Sequence, residues 1–169
     1  MLFLDLKGDI DTIDKFTNYA READRLQDLM TFSLSDQTSS TPYNLIENGT
    51  PTQLRDKIML SLNWSEEFYK NQSGSFLLKL LIGLCWLRDN QNIKVTLSTV
   101  LSSTINPEFL ASLNQMIPET QSKVKTTFEE CYHFLTSNEN YKSLQGLLSQ
   151  LESLILCKRS INLVCQVLI

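Results

Sequence analysis

Apolar side chains return every three or four residues in nearly every long stretch of this 169-residue chain. That spacing places them on one face of an α-helix, so it predicts a succession of amphipathic helices. A composition that is 42% hydrophobic and 20% charged fits a folded protein, and the length is sufficient for one sizeable core. We therefore predict an all-α fold: a single-domain helical bundle of about six or seven helices that spans residues 1–169.

One polar stretch interrupts the helical pattern. Residues 35–50 open with a run of serine, threonine, aspartate and glutamine and have no periodic apolar face, which predicts a loop. The first helix is expected before it, over about residues 11–34, because apolar residues there keep the helical spacing.

The second helix is expected to begin at Pro51. Thr50 is a typical N-cap, proline is favoured at the first helical position, and Gln53 stands where a capping box requires it. The apolar spacing continues as far as Phe68, which predicts that this helix ends near residues 71–74.

The segment 76–88 is apolar on most faces, and a helix of that kind is usually the buried centre of its domain. The last predicted helix, over 141–155, has a leucine seam that could also bind a partner helix. Because the seam covers only about two heptads, we favour a place in the chain's own core. Three other helices are expected. One covers residues 93–105, and the next begins at Pro107 after an Asn106 cap and ends at Ile117. The third has an apolar face formed by Val124, Phe128, Cys131, Tyr132 and Leu135.

Residues that carry out chemistry are scarce. His133 is the single histidine, and Cys131 lies two positions before it. Two such positions on a helix point about 200° apart, so the pair cannot work as nucleophile and base or share a metal ion. The adjacent carboxylates Glu66 and Glu67 diverge in the same way. We predict that the protein is not an enzyme and that it uses no metal and no cofactor.

The cysteines and the longest apolar run indicate where in the cell the protein is expected. All four cysteines stand in apolar stretches, where a reduced cysteine behaves as a small buried hydrophobe, and this predicts a reducing, cytoplasmic setting. The apolar run 76–87 contains Lys79 and is too short to span a bilayer, so no membrane is expected.

The charge of the chain is mildly acidic, with a formal net charge of -4. Its basic residues occur as small doublets, and several helix ends together could align them along a nucleic-acid backbone. The candidate nucleic-acid-binding residues are Arg55, Lys57, Arg88, Lys94, Lys123, Lys125, Lys158 and Arg159.

In size and helical pattern, the whole chain resembles the small subunit of multi-subunit CRISPR effector complexes of the Cascade kind. It opens on Met1-Leu2-Phe3-Leu4-Asp5-Leu6 and closes on Val164-Cys165-Gln166-Val167-Leu168-Ile169, as a fragment of a larger domain would. In that family the small subunit can arise from an internal start in the large-subunit gene. The resemblance implies a non-catalytic subunit of a ribonucleoprotein complex for antiviral defence. It also implies that lysines and arginines hold the RNA or DNA backbone, and that other subunits, including further copies of the chain, are its protein partners.

A second class of function fits the same sequence. A helical adaptor or scaffold would bind protein partners only, with no nucleic-acid contact. In that case the loop at residues 35–50 and an apolar groove would form the binding surface. Steep salt dependence of nucleic-acid binding would separate the two classes.

Overall fold

The computed structural model describes residues 10–30 and 44–156, without the side chains of residues 10, 138–140 and 156. Every regular element in these two stretches is helical, which confirms the all-α helical bundle. Two 3-10 helices cover Leu26–Asp28 and Glu119–Gln121. The α-helices are α1 (Ile10–Glu22), α2 (Pro51–Leu60), α3 (Glu67–Gln91), α4 (Leu97–Ile105), α5 (Pro107–Gln115), α6 (Ser122–Thr136), α7 (Asn138–Ser143) and α8 (Gln145–Leu156).

The long helix α3 is the centre of the bundle. It packs against both α2 and α6, while α5 packs on α6, and α4 packs on α5 and α8. Leu77, Leu80 and Leu84 of α3 are fully buried. The prediction of a buried central helix over residues 76–88 is therefore confirmed.

At Gly83, α3 packs tightly against α6. A Cβ atom at this position would lie only 2.1 Å from the Cδ2 and Cε2 atoms of Phe128. The Phe128 ring is itself completely buried between the helices. A residue without a side chain is therefore required here, because the ring occupies the space a Cβ would need.

Two helix starts form as their sequence signals predict. The Thr50 hydroxyl accepts a hydrogen bond from the Gln53 backbone N–H at 3.3 Å, and the Gln53 side chain accepts one from the Thr50 N–H at 2.9 Å. At α5, the Asn106 side chain accepts from the backbone N–H groups of Glu108 and Phe109 at 2.9 and 3.1 Å. Both caps satisfy donors that the first turn of a helix leaves unpaired.

The start of α4 differs from the prediction. The helix begins at Leu97 and not at residue 93, because Thr96 and Thr99 form a second reciprocal capping box. Val95 lies just before it in non-helical backbone and is buried in the core. Its carbonyl accepts a hydrogen bond from the side chain of Asn44 at 2.7 Å, which joins this segment to the region before α2.

The first helix is shorter than predicted. It ends at Glu22 because Asp24 takes a left-handed conformation, with φ of 55°. The backbone N–H of Arg25 then donates to the Ala20 carbonyl at 2.8 Å, the pattern of a Schellman C-cap. The expected continuation through residues 31–34 lies outside the described residues.

The predicted polar loop over residues 35–50 ends in a segment that belongs to the core. Residues 44–50 form turns and bends, which agrees with the loop prediction, but Leu45 and Ile46 are buried against the bundle, so this end of the loop is not polar surface. Gly49, with φ of 138°, turns the chain into the Thr50 cap. Residues 35–43 lie outside the described part of the chain.

The helix predicted over residues 141–155 is divided in two at Leu144, so the described stretches contain eight α-helices. Its leucine seam faces inward. Leu144, Leu147, Leu148 and Leu151 are all buried, which confirms a place in the chain's own core. On α6, in contrast, Tyr132 is 38% exposed and does not share the buried face that was predicted for it.

Candidate functional site

Two of the predicted nucleic-acid-binding residues hold the segment before α2. The Lys57 ammonium donates to the backbone carbonyls of Leu45 and Asn48 at 3.4 and 3.2 Å. The Arg88 guanidinium donates to the carbonyls of Glu47 and Gly49 at 3.2 and 3.1 Å. The structure thus brings Lys57 and Arg88 together, around one turn of their own chain.

Arg88 also has an acidic neighbour. Its Nε atom lies 2.7 Å from Oδ1 of Asp89. This hydrogen bond raises the pKa of Arg88 and lowers the pKa of Asp89. Arg55 makes a similar pair with Asp56, at 2.7 Å. The cationic groups of Arg55, Lys57 and Arg88 therefore all have partners within the fold.

The remaining candidate cations differ in their surroundings. Lys125 on α6 forms an ion pair with Glu119. Lys94, between α3 and α4, and Lys123, on α6, are exposed, and neither ammonium has an ion pair within residues 10–30 and 44–156. Lys158 and Arg159 lie outside the described residues. Among the candidate cations that the structure describes, Lys94 and Lys123 remain open to a ligand.

Cys131 and His133 occupy different environments. Cys131 is buried, whereas His133 is exposed and its ring lies 5.9 Å from that of Tyr132. Burial raises the pKa of the Cys131 thiol to about 12. The thiol is therefore protonated, and a weak nucleophile, at neutral pH. In the described ranges, no group of three or more histidine, cysteine, aspartate or glutamate residues is placed to hold a metal ion, and no helix is long and apolar enough to cross a membrane.

The buried thiol predicts a loss of stability in alkali. The folded chain keeps the Cys131 proton up to a pKa of about 12, whereas an unperturbed cysteine releases it near 9.0. Above about pH 9 the unfolded chain binds fewer protons than the folded one, so the free energy of unfolding falls as pH rises, by up to about 1.4 kcal/mol per pH unit. Urea titrations at about pH 8 and about pH 10 should show a smaller pH-dependent loss for Cys131→Ala than for the wild type. An unchanged loss would show that this thiol does not contribute.

Three exposed large apolar side chains and one half-buried tryptophan lie at the end of α2, the start of α3 and the turn between them. We call this group the α2–α3 corner and define it by Leu60, Trp64, Phe68 and Tyr69. Leu60 is 72% exposed and Phe68 is 67% exposed. All of residues 65–71 are exposed, so the first turns of α3 stand clear of the core.

The turn between the two helices is held by polar contacts. The Gln150 side chain on α8 accepts a hydrogen bond from the Asn63 backbone N–H at 2.6 Å and donates one to the Asn63 carbonyl at 2.7 Å. The Trp64 indole N–H donates to the Met59 carbonyl at 3.3 Å. The α2–α3 corner is therefore anchored at its base, although its apolar side chains face solvent.

This corner corrects the prediction for the second helix. The helix was expected to run unbroken to residues 71–74 with Phe68 on its apolar face, but α2 ends at Leu60 and α3 begins at Glu67. Phe68 kept the helical spacing by coincidence. The start of a new helix near residue 67 could have been predicted from Glu66 and Glu67, since acidic residues are typical of the first turn of a helix.

Comparison with known proteins adds no relative. The chain matches no protein-family profile, and no curated protein or solved structure is significantly similar to it.

Proposed function

We propose that this chain is a non-catalytic helical adaptor that binds a partner protein through the α2–α3 corner. The observation that carries the proposal is the exposure of Leu60 and Phe68, at 72% and 67%, beside a half-buried tryptophan. Tryptophan, tyrosine and phenylalanine are enriched at protein interfaces, and a few such side chains supply most of the binding energy.

The positions of the basic residues favour a protein partner over a nucleic acid. Binding to a phosphate backbone needs several free cations. Lys57, Arg88 and Lys125 instead donate to carbonyl or carboxylate oxygens of the chain itself. Recruiting them to phosphates would mean giving up these contacts, which makes them poor donors for that purpose.

The buried thiols support a role without catalysis and a reducing, cytoplasmic setting. Cys85 and Cys131 are both free and buried. Burial raises the pKa of each thiol, which keeps them protonated and inert at neutral pH.

The test is to recover the chain with its partners from its own cells. Three forms are compared: the wild type, Leu60→Ala with Phe68→Ala, and Lys94→Glu with Lys123→Glu. All four positions are exposed, so each form should fold. We expect one set of proteins to be recovered with the wild type and the lysine variant, before and after nuclease treatment, and to be lost with the corner variant. Recovery with the corner variant would refute the proposal.

The second candidate is the nucleic-acid-binding subunit that the Cascade resemblance implies. It is favoured by the exposed ammonium groups of Lys94 and Lys123, which no carboxylate neutralises in the part of the chain that the structure describes. In this case nuclease treatment would release the partners. Affinity for duplex DNA would fall steeply with salt, and Lys94→Glu with Lys123→Glu would reduce the slope of log affinity against log salt by about 0.9 per lost contact.

A further inference from the structure

We infer that the α2–α3 corner takes a partner segment of defined chemistry: a short amphipathic stretch whose apolar side chains are flanked by lysine or arginine. This inference rests on the proposed function and adds the charge of the partner to it. The argument comes from the two carboxylates that directly precede the exposed aromatic residues in the chain.

Glu66 and Glu67 supply the charge. Both are exposed and stand within the residues that define the corner, directly before Phe68. Within residues 10–30 and 44–156, neither carboxylate makes a hydrogen bond or an ion pair. Residues 60–70 contain two glutamates and one cation, Lys70, so the segment has a net charge of -1. Lysine or arginine on a partner would complement this charge, and glutamate or aspartate would be repelled.

Several carboxylates of the chain are neutralised by its own cations, whereas Glu66 and Glu67, like the exposed Glu108 and Glu129, have no ion pair within the described residues. Asp56, Asp89 and Glu130 each form an ion pair with a lysine or arginine of the same chain, at 2.7 Å in every case. The two carboxylates beside the exposed aromatic rings lack such partners. The formal net charge of -4 would also attract a basic segment from a distance.

The exposed aromatic rings of the corner offer a contact surface to an apolar side chain. The rings of Phe68 and Tyr69 are in edge-to-face contact, with centroids 5.4 Å apart. The two hydrogen bonds between the Gln150 side chain and the Asn63 backbone hold the turn that leads into these rings. A surface held in place before binding loses less conformational freedom when a partner docks.

The test uses two synthetic amphipathic peptides that share one leucine face. The polar face is lysine in one peptide and glutamate in the other, and binding to the full chain is followed by fluorescence anisotropy. We expect the lysine peptide to bind and the glutamate peptide to fail. Leu60→Ala with Phe68→Ala should weaken binding of the lysine peptide by at least about tenfold.

Charge variants separate a local effect from bulk attraction. Glu66→Gln with Glu67→Gln should weaken binding several-fold at low salt and reduce its salt dependence. The control Glu108→Gln with Glu129→Gln changes the net charge equally at exposed positions on α5 and α6 and should leave binding unchanged. Equal losses in both variants, or equal affinity for the two peptides, would overturn the inference.

Two outcomes separate this inference from the proposed function. If the glutamate peptide binds as well as the lysine peptide, but the corner variant still loses its cellular partner, the adaptor role stands and the basic partner is wrong. If gel filtration shows a dimer that Phe68→Ala dissociates, the corner joins two copies of the chain, and the basic-segment inference fails.

Discussion

Replacing Gly83 by alanine is expected to destabilise the protein by about 2 kcal/mol or more, which corresponds to about 5 °C in melting temperature for a chain of this length. Alanine favours a helix over glycine by about 1 kcal/mol, so an increase in stability would be expected at an open site. Here the added Cβ would lie 2.1 Å from the buried Phe128 ring, and α3 and α6 would have to separate. Thermal and urea unfolding followed by circular dichroism measure the effect.

The matched control is Gly146→Ala. Gly146 is exposed on α8 and an added Cβ would have no neighbour within 4 Å, so the change should be neutral or stabilising by up to about 1 kcal/mol. Combining Gly83→Ala with Phe128→Leu should recover part of the loss, because the smaller side chain relieves the overlap. A Gly83→Ala variant as stable as the wild type would contradict the close packing of α3 against α6.

Replacing Ile46 by alanine is expected to cost about 2–4 kcal/mol of unfolding free energy. Ile46 is 0% exposed, although it stands in a segment whose sequence predicts a polar loop. Removing its branched side chain would leave a cavity beneath the turn that Lys57 and Arg88 hold in place. Urea unfolding at neutral pH measures the cost.

Leu60→Ala is the control for this second prediction. Leu60 is as apolar as Ile46 but 72% exposed, so its truncation should change stability by less than about 0.5 kcal/mol. Equal, small effects of the two substitutions would show that residues 44–50 are not part of the core.

Local sequence signals were sufficient where the stabilising contacts are themselves local. The Thr50 and Asn106 caps join residues two or three positions apart, and both form as predicted. The burial of the α3 centre follows from its apolar composition on most faces. The periodicity of α8 likewise identified the leucines that enter the core.

The errors arise where distant residues decide the local structure. The turn between α2 and α3 depends on Gln150, 87 positions away from Asn63, and no spacing rule near residue 63 shows this. The loop at residues 44–50 is held against the core by Arg88 in the same way, through a contact over 39 positions to Gly49. The sequence proposed the basic doublets as contacts to a nucleic-acid backbone, but whether a cation is free depends on its tertiary neighbours, as the contacts of Lys57 and Arg88 within the fold show.

The hydrogen bonds between Gln150 and Asn63 constrain the amino acid at position 150 but not the one at position 63. The side-chain amide of Gln150 bonds only to the backbone N–H and carbonyl of residue 63, and every residue except proline has both groups. In divergent copies of this gene, position 63 would therefore be free to drift, while position 150 would keep an amide. A covariation search would miss this link, and a search for an invariant glutamine opposite a variable partner would find it.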